Sequence, residues 1–173
     1  MQTAQDGGRR RNVKTWHGLY RRRVLVVLCS LILGTHPGHA AMLKMSVEDL
    51  ARQADTIVVG TVTQRQSAWD AQHTAIYTDV MVAVERVLAD TPGDTLTLRV
   101  AGGIVEGMGM GTSNDPTFQD GEQMIVFLDT TTVPSSVVGM QQGKFTIKDN
   151  LVTLADETVS LEEFIATVRS ALP

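Results

Sequence analysis

Cysteine and histidine are scarce in this chain, and most of them lie close to its N-terminus. The one cysteine, Cys29, sits in an apolar run, and three of the four histidines also precede residue 41. Residues 41–173 therefore contain no cysteine and one histidine, His73. This composition excludes a disulfide, a thiol nucleophile and a thiolate metal site from that part of the chain. One histidine also makes neither a zinc site nor a nucleophile triad.

Long hydrophobic runs are absent, and the longest near the N-terminus is Val24 to Leu33, about ten apolar or small residues. It follows three arginines, Arg21 to Arg23, and leads to a small-residue site that ends at Ala40. This order is typical of a secretory signal peptide, whereas a membrane-spanning helix needs about 20 apolar residues. We therefore predict that residues 1–40 are a signal peptide, with cleavage after Ala41 as the alternative. Export to the periplasm or the extracellular space follows from this prediction.

Positive charge is also scarce once the predicted signal peptide is removed. Seven of the 15 basic residues lie within residues 1–40, so the mature chain (residues 41–173) has 8 basic and 18 acidic residues and a net charge of −10. Such a surface repels nucleic acid and anionic lipid, so we expect no nucleic-acid partner and no stable membrane insertion of the mature chain. The charge keeps an exported protein soluble, and attraction of a cationic partner or Ca²⁺ is the alternative.

The mature chain is long enough for a single domain, and its periodicity predicts a mainly β fold. Ser46 caps a short helix, and the capping box Ser160 to Glu163 opens a second helix at the C-terminus. Between them lie runs with the two-residue period of strands: Thr56 to Thr63, Ala75 to Leu88, Leu96 to Val100, Glu122 to Asp129, Val137 to Met140 continuing at Lys144 to Lys148, and Leu151 to Leu154. Gly60 inside the first run marks a bend or a close approach of two backbones. This pattern favours a small OB-like barrel of five or six strands, with a short N-terminal helix and a C-terminal helix.

Three segments share their strand order and hydrophobic pattern with a known group of proteins. They are Ala54 to Val62, the strand end Val84 to Leu88, and Asp120 to Leu128, and the sharpest points are Phe118, Gly121 and Glu122. On these residues the chain resembles the netrin-module and tissue-inhibitor-of-metalloproteinase group. It would be a bacterial-type protein of this kind, with no cysteine in its mature part. The resemblance implies an OB fold over roughly Ala54 to Lys148. It carries over no inhibitory residue, because that group's inhibitors bind the protease zinc through an N-terminal cysteine.

The segment from Gly102 to Asp120 is the most unusual part of the mature chain. We predict a glycine-rich connection of 19 residues, far above the usual loop length, and loops this long are often functional. Its Gly-Met-Gly-Met-Gly run offers Met108 and Met110, soft thioether ligands of the kind that Cu(I) prefers, although packing or a flexible flap is the alternative. Asn114, Asp115 and Asp120 offer hard oxygen ligands for Ca²⁺, although residues of an ordinary turn around Pro116 are the alternative.

Aromatic side chains complete the candidate binding surface, because Trp and Tyr concentrate binding energy at interfaces. The predicted binding residues are Trp69, Tyr77, Met108, Met110, Asn114, Asp115 and Phe118. We expect an exported, non-catalytic binding module that acts by protein–protein contact, with no catalytic residues, no cofactor and no bound metal. Its expected partner is another exported protein, and the resemblance implies a protease. The alternatives are a small-ligand or metal carrier that holds copper or calcium in the Gly/Met-rich loop, and an enzyme built from carboxylates.

Overall fold

The computed structural model describes residues 43–90, 92–111 and 113–172, and this part of the chain is mainly β. The helices are α1 (Val47–Gln53) and α2 (Leu161–Ala171), and a 3₁₀ helix spans Met140–Gly143. The strands are β1 (Thr56–Trp69), β2 (Ile76–Ala89), β3 (Thr95–Ala101), β4 (Gly103–Val105), β5 (Met108–Met110), β6 (Gln123–Asp129), β7 (Ser136–Val137), β8 (Lys144–Lys148), β9 (Leu151–Thr153) and β10 (Thr158–Ser160). No helix among the described residues is long and apolar enough to cross a membrane. The predicted signal peptide and its cleavage site lie outside the described residues.

Both helices begin at the serines that the sequence indicates. The Ser46 hydroxyl accepts a hydrogen bond from the Asp49 amide at 3.1 Å, and the Ser160 hydroxyl accepts one from the Glu163 amide at 3.2 Å. Each bond satisfies an amide that has no partner within its own helix. The side chains that α2 buries are Leu161, Phe164, Ile165 and Val168. The predictions of a short helix near Ser46 and of a C-terminal helix are therefore confirmed.

The sheet is built around β1. Its N-terminal part, Thr56 to Thr61, pairs with β6 on one edge, while nearly the whole strand pairs with β2 on the other. The complete strand order is β10-β9-β8-β6-β1-β2-β3, with β7 beside β6, and every one of these ladders is antiparallel. In the middle of this order, β6 and the N-terminal part of β1 each have a paired strand on both edges.

Two hydrophobic clusters cover the two faces of the central strands. The first contains Ile57 and Val59 of β1 together with the buried side chains of both helices, and Phe127 and Phe164 meet there in a T-shaped contact at 6.5 Å. The second contains the alternate residues of β1 with the inner faces of β2, β3 and β6. It also contains Phe118, from the loop between β5 and β6. The alternation follows from the two-residue period of a strand. Within the strand predicted from Glu122 to Asp129, all five residues from Met124 to Leu128 are buried, so this strand lies in the core.

The sheet is not closed into a barrel, so the expected five- or six-stranded barrel is not confirmed. Between β3 and the segment before β7 the described residues make one parallel bridge, Leu98 to Ser135, and the Arg99 amide donates to the Ser135 carbonyl at 2.8 Å. The strand count also differs, because β4, β5 and β10, of three residues each, lie outside the predicted strand runs. Strands that short carry too few residues for a two-residue period to be recognised.

Three boundaries differ from the sequence-based ones. β1 continues from Thr63 to Trp69 through polar residues, because β2 pairs with it over this whole length. The expected connection from Gly102 to Asp120 contains the hairpin β4–β5. The strand expected over residues 137–140 ends at Val137, because Gly139 and Met140 both have positive φ angles and a 3₁₀ helix follows.

Gly60 marks a close approach of two backbones, as its place within a strand predicts. The register between β1 and β2 shifts beside it, and a Cβ built on Gly60 would lie 2.5 Å from the Ala83 carbonyl oxygen and 2.7 Å from Val82 Cγ1. The nearest obstacle is backbone, which cannot rotate away as a side chain can. A glycine is therefore required for β1 to pack against β2 at this point.

We expect Gly60→Ala to lower the free energy of unfolding by about 2 kcal/mol, because the added methyl group forces the two central strands apart. Gly109→Ala is the matched control, since a Cβ there lies 3.8 Å from Ile104 Cγ1, an ordinary contact. The control should stay within about 0.5 kcal/mol of the unsubstituted protein in urea denaturation. Equal stabilities of the two variants would contradict the role given to Gly60.

Candidate functional site

An open cleft of about 530 Å³ lies where the ends of β1, β2 and β3 meet the hairpin β4–β5 and the following loop. Residues from the sheet, the hairpin and the loop all face it, among them Arg65, Ser67, Thr78, Val100, Met110 and Phe118. On the sheet side, Arg65 and Ser67 are spaced two apart along β1, so their side chains leave the same face of the strand. The cleft is therefore formed by one face of the sheet and two covering segments.

The hairpin is held against the sheet by backbone groups. The Thr78 hydroxyl donates to the Gly102 carbonyl at 2.7 Å and lies 2.8 Å from the Ser67 hydroxyl, and the Gly102 amide donates to the Ile76 carbonyl at 2.7 Å. Since Thr78 has a single hydroxyl proton, Ser67 is the donor between the two hydroxyls. A Cβ on Gly103 would lie 2.5 Å from both hydroxyl oxygens, so only glycine allows β4 to come this close.

The same hairpin exposes apolar side chains to solvent. Ile104 is 72% exposed, Met108 53% and Met110 43%. In the β4–β5 register Gly103 pairs with Met110 and Val105 pairs with Met108, so both methionines point to one face and Ile104 to the other. The hairpin therefore offers apolar groups on both of its faces, and one of them, Met110, also lines the cleft.

Across the cleft, the loop that carries Phe118 is fixed by a nearly buried ion pair. The Lys144 ammonium donates to Glu122 Oε1 at 2.6 Å and to the Thr117 carbonyl at 2.5 Å, and it lies 4.9 Å from the Phe118 ring centroid. The two charged side chains are only 10% and 12% exposed. Burial by itself raises the pKa of Glu122, but hydrogen bonds from Lys144 and Thr146 and the Lys144 charge outweigh it, so that pKa is lowered.

A second cation holds the same loop from the side of β1. The Arg65 guanidinium donates to the Phe118 carbonyl at 2.7 Å and to Asp120 Oδ1 at 2.9 Å. The hydrogen bond with Asp120 raises the pKa of Arg65 above its ordinary value. Phe118 is thus held through its own carbonyl by Arg65, while Lys144 bonds the neighbouring carbonyl of Thr117 and faces the ring. These contacts place its ring in the core, where it is 5% exposed.

Three of the seven predicted binding residues, Met110, Asp115 and Phe118, line the cleft. Met108 lies on the same face of β5 as Met110 without lining the cleft. Asn114, the neighbour of Asp115 along the chain, is exposed. The Asn114 carbonyl accepts a hydrogen bond from the Gln141 amide at 3.1 Å. The Gly/Met-rich segment and the turn after it are therefore brought together at one side of the cleft.

The three predicted aromatic residues do not form one surface patch. Phe118 is buried in the second cluster. Trp69 pairs with Ile76, the neighbour of Tyr77 along β2, so Trp69 and Tyr77 leave opposite faces of the sheet. Trp69 instead stacks on His73 at a centroid distance of 6.0 Å, and Tyr77 is 38% exposed on the outer face. The alternation along β2 separates residues that the sequence places close together.

The sequence reasoning missed the polar residues of the cleft, Arg65, Ser67 and Thr78. Gln64 to Ser67 are polar at every position, so this part of β1 has no apolar–polar alternation by which a strand could be recognised. Its strand conformation comes from pairing with β2.

The arrangement suits recognition by contact. Thr78 donates to Gly102, and Arg65 donates to Phe118 and Asp120, so these polar groups already have protein partners. No three His, Cys, Asp or Glu side chains within residues 43–90, 92–111 and 113–172 come together as a metal-binding group. No protein-family model matches the chain, and no curated protein matches it either.

We expect Glu122→Gln to lower the free energy of unfolding at pH 7 by about 3 kcal/mol, because the substitution leaves the nearly buried Lys144 charge without its counter-charge. The unsubstituted protein has this stability above the unfolded pKa of glutamate, about 4.3, and loses it as the pH falls through the lowered folded-state pKa. Urea denaturation at pH 7 and at pH 3 measures both effects. The difference between the two proteins should shrink at the lower pH.

Asp120→Asn provides the control, since it breaks the ion pair with Arg65 at a side chain that is 59% exposed. Its cost should stay below about 1 kcal/mol. Equal losses in the two variants would contradict the special role of the Glu122–Lys144 pair.

Proposed function

We propose that the protein is an exported, non-catalytic binding module that acts by contact with another protein through the hairpin β4–β5 and the cleft beside it. The observation that carries this proposal is the exposure of Ile104, Met108 and Met110, which are 72%, 53% and 43% exposed next to an open cleft. Apolar groups that are gathered at the surface beside a concave site are typical of interaction sites.

We also propose that the fold is OB-like. Two features support this: β1 pairs antiparallel with both β2 and β6, and Leu98 of β3 bridges Ser135 in a parallel sense just before β7. The path β1-β2-β3, Ser135, β7-β6 then returns to β1, which is the connectivity expected of a small, partly open barrel.

A protease is the partner class that the resemblance supports. The resembling segments Ala54 to Val62 and Asp120 to Leu128 contain the paired parts of β1 and β6, next to the loop that Lys144 fixes. The protein would act on its partner by contact and not by catalysis, so a captured protease would be blocked or positioned by it. Export itself rests on the arginines and the apolar run before residue 41.

The test is affinity capture from the organism's own envelope and secreted fractions, with the protein and two variants immobilised in parallel. Ile104→Asp combined with Met108→Asp places charge on the hairpin, and Leu151→Asp is the control, since Leu151 is 45% exposed in β9, away from the hairpin. We expect a stoichiometric partner that the control retains and the hairpin variant loses by at least about tenfold, which is roughly 1.4 kcal/mol. Identical capture by all three proteins would overturn the assignment of the hairpin.

A metal carrier is the second candidate, and the placement of Met108 and Met110 on one face of β5 favours it. Two thioethers on the same strand face, both exposed, are accessible to a soft cation such as Cu(I). Calcium has less support, because Asn114 and Asp115 are not part of any three-residue acidic cluster among the described residues.

If the carrier function is correct, replacing both methionines with leucine should weaken Cu(I) binding by at least about tenfold in competition with a Cu(I) chelator. Met140→Leu is the control, because Met140 is 51% exposed but lies in the 3₁₀ helix. Binding that is unchanged in the double variant would exclude Met108 and Met110 as ligands. Contact with a protein partner through the hairpin would then be the remaining proposed function.

A further inference from the structure

The C-terminal half of β1 has one edge beside which the described structure has no strand. β6 pairs with β1 as far as Thr61, and Val62 then exchanges hydrogen bonds with Gly121 and Glu122 at 2.8 and 2.9 Å. Beyond this point residues 64–69 pair with β2 alone. At about 3.4 Å per residue, six residues give an unpaired edge of about 20 Å.

We propose that this edge, residues 64–69 of β1, accepts an extended segment of the partner protein as an added strand. The inference rests on the proposed function and names the form in which the partner binds. Backbone hydrogen bonds to β1 would supply affinity, and the partner's alternate side chains would supply specificity.

The cleft lies where the alternate side chains of an added strand would go. Residues directly opposite one another in neighbouring strands point to the same face, so every second residue of the added strand lies beside Arg65 or Ser67. Both of these residues line the cleft, and Met110 and Phe118 line it as well. Its volume of about 530 Å³ is within the usual range for binding pockets. Val100, Ile104, Met110 and Phe118 provide apolar contacts in this cleft, so we expect apolar side chains on the inward face of the partner segment.

This edge also has few of the features by which proteins usually prevent strand addition. Exposed edges are commonly protected by lysines, prolines or charged residues that point inward. Residues 64–69 contain no proline and one charged residue, Arg65, whose guanidinium is engaged by Phe118 and Asp120. A register shift between Val62 and Gln64 precedes this edge, but residues 64–69 themselves pair with β2 in an unbroken register. An edge of this kind is suited to accept a strand.

Charge identifies the partner as cationic. The mature chain has 8 basic and 18 acidic residues, so two copies would repel each other, which argues against a second copy as the added strand. Asp70 follows β1 directly, and Glu106 lies at the tip of the hairpin. The occupant is therefore an extended protein segment with apolar residues toward the cleft and basic residues alternating with them.

The first experiment uses the synthetic peptide acetyl-Lys-Val-Lys-Val-Lys-Val-amide with the purified protein. Two further versions carry N-methyl groups, one on the lysine amides and one on the valine amides. Because an added strand uses the amides of alternate residues only, we expect one methylated version to bind like the parent and the other to bind at least about tenfold more weakly. Equal binding by both methylated versions would overturn the proposal, and so would a parent peptide that does not bind at millimolar concentration.

Two variants test where the peptide lies. Met110→Lys places a charge in the cleft and should weaken peptide binding by at least about tenfold, because the apolar contact with the inward valines is lost and a charge must be desolvated against them. Leu151→Lys is the control, since Leu151 is a 45% exposed apolar residue of β9 that does not line the cleft, and the affinity for the peptide should change by no more than about twofold.

Hydrogen exchange distinguishes failure of this inference from failure of the proposed function. With the peptide bound, the amides within residues 64–69 that point away from β2 should exchange at least about tenfold more slowly. If the peptide binds and Met110→Lys abolishes binding while these amides exchange as before, the cleft binds protein segments without strand addition. That result would overturn the edge inference and leave the proposed function in place.

Discussion

The conformation of the loop that carries Phe118 depends on the contacts made by the ammonium group of Lys144. Inside the protein it cannot be left unpaired, because desolvating a charge costs several kcal/mol unless a counter-charge and hydrogen bonds offset it. Glu122 supplies the counter-charge, the Thr117 carbonyl supplies a further acceptor, and the Phe118 ring lies 4.9 Å from the nitrogen. The loop therefore has one geometry in which the charge is satisfied, and this geometry buries Phe118 under the cleft. Specificity of the loop conformation, more than net stability, is what such a pair contributes here.

The hairpin β4–β5 is positioned by different means. Its side chains are largely exposed, so burial of apolar area cannot hold it, and backbone bonds at its base must do so. Gly102 and Gly103 have positive φ angles and allow the chain to turn onto the hydroxyls of Ser67 and Thr78. An anchored base with exposed apolar side chains along both strands would keep contact groups available to a partner at little cost in conformational freedom on binding.

The elements that could be predicted from the sequence are those whose periodicity extends over many residues. Each of these elements buries one face, and a regular spacing of apolar residues indicates which face that is. They are the helix stripe from Leu161 to Val168 and the apolar runs of β1, β2 and β6. The hairpin escaped because its strands have three residues each and include glycines. The ion pair that fixes the cleft loop was not predicted for another reason: Lys144 and Glu122 are 22 residues apart, and only the pairing of β6 with β8 brings them together. A contact of that kind is set by topology, which a single sequence does not record.

The charged side chains divide into one nearly buried ion pair and a larger number of exposed groups. Six ion pairs between described residues each join one lysine or arginine to one carboxylate, and five of them involve exposed side chains that contribute little to stability. Residues 41–173 contain 18 acids against 8 bases, so ion pairing cannot neutralise this part of the chain. The net negative charge would act mainly on the rate of encounter with a cationic partner, and its effect weakens as salt screens it. If a cationic partner binds as proposed, apolar contact and backbone hydrogen bonds are insensitive to that screening, so association should slow with added salt more than dissociation accelerates.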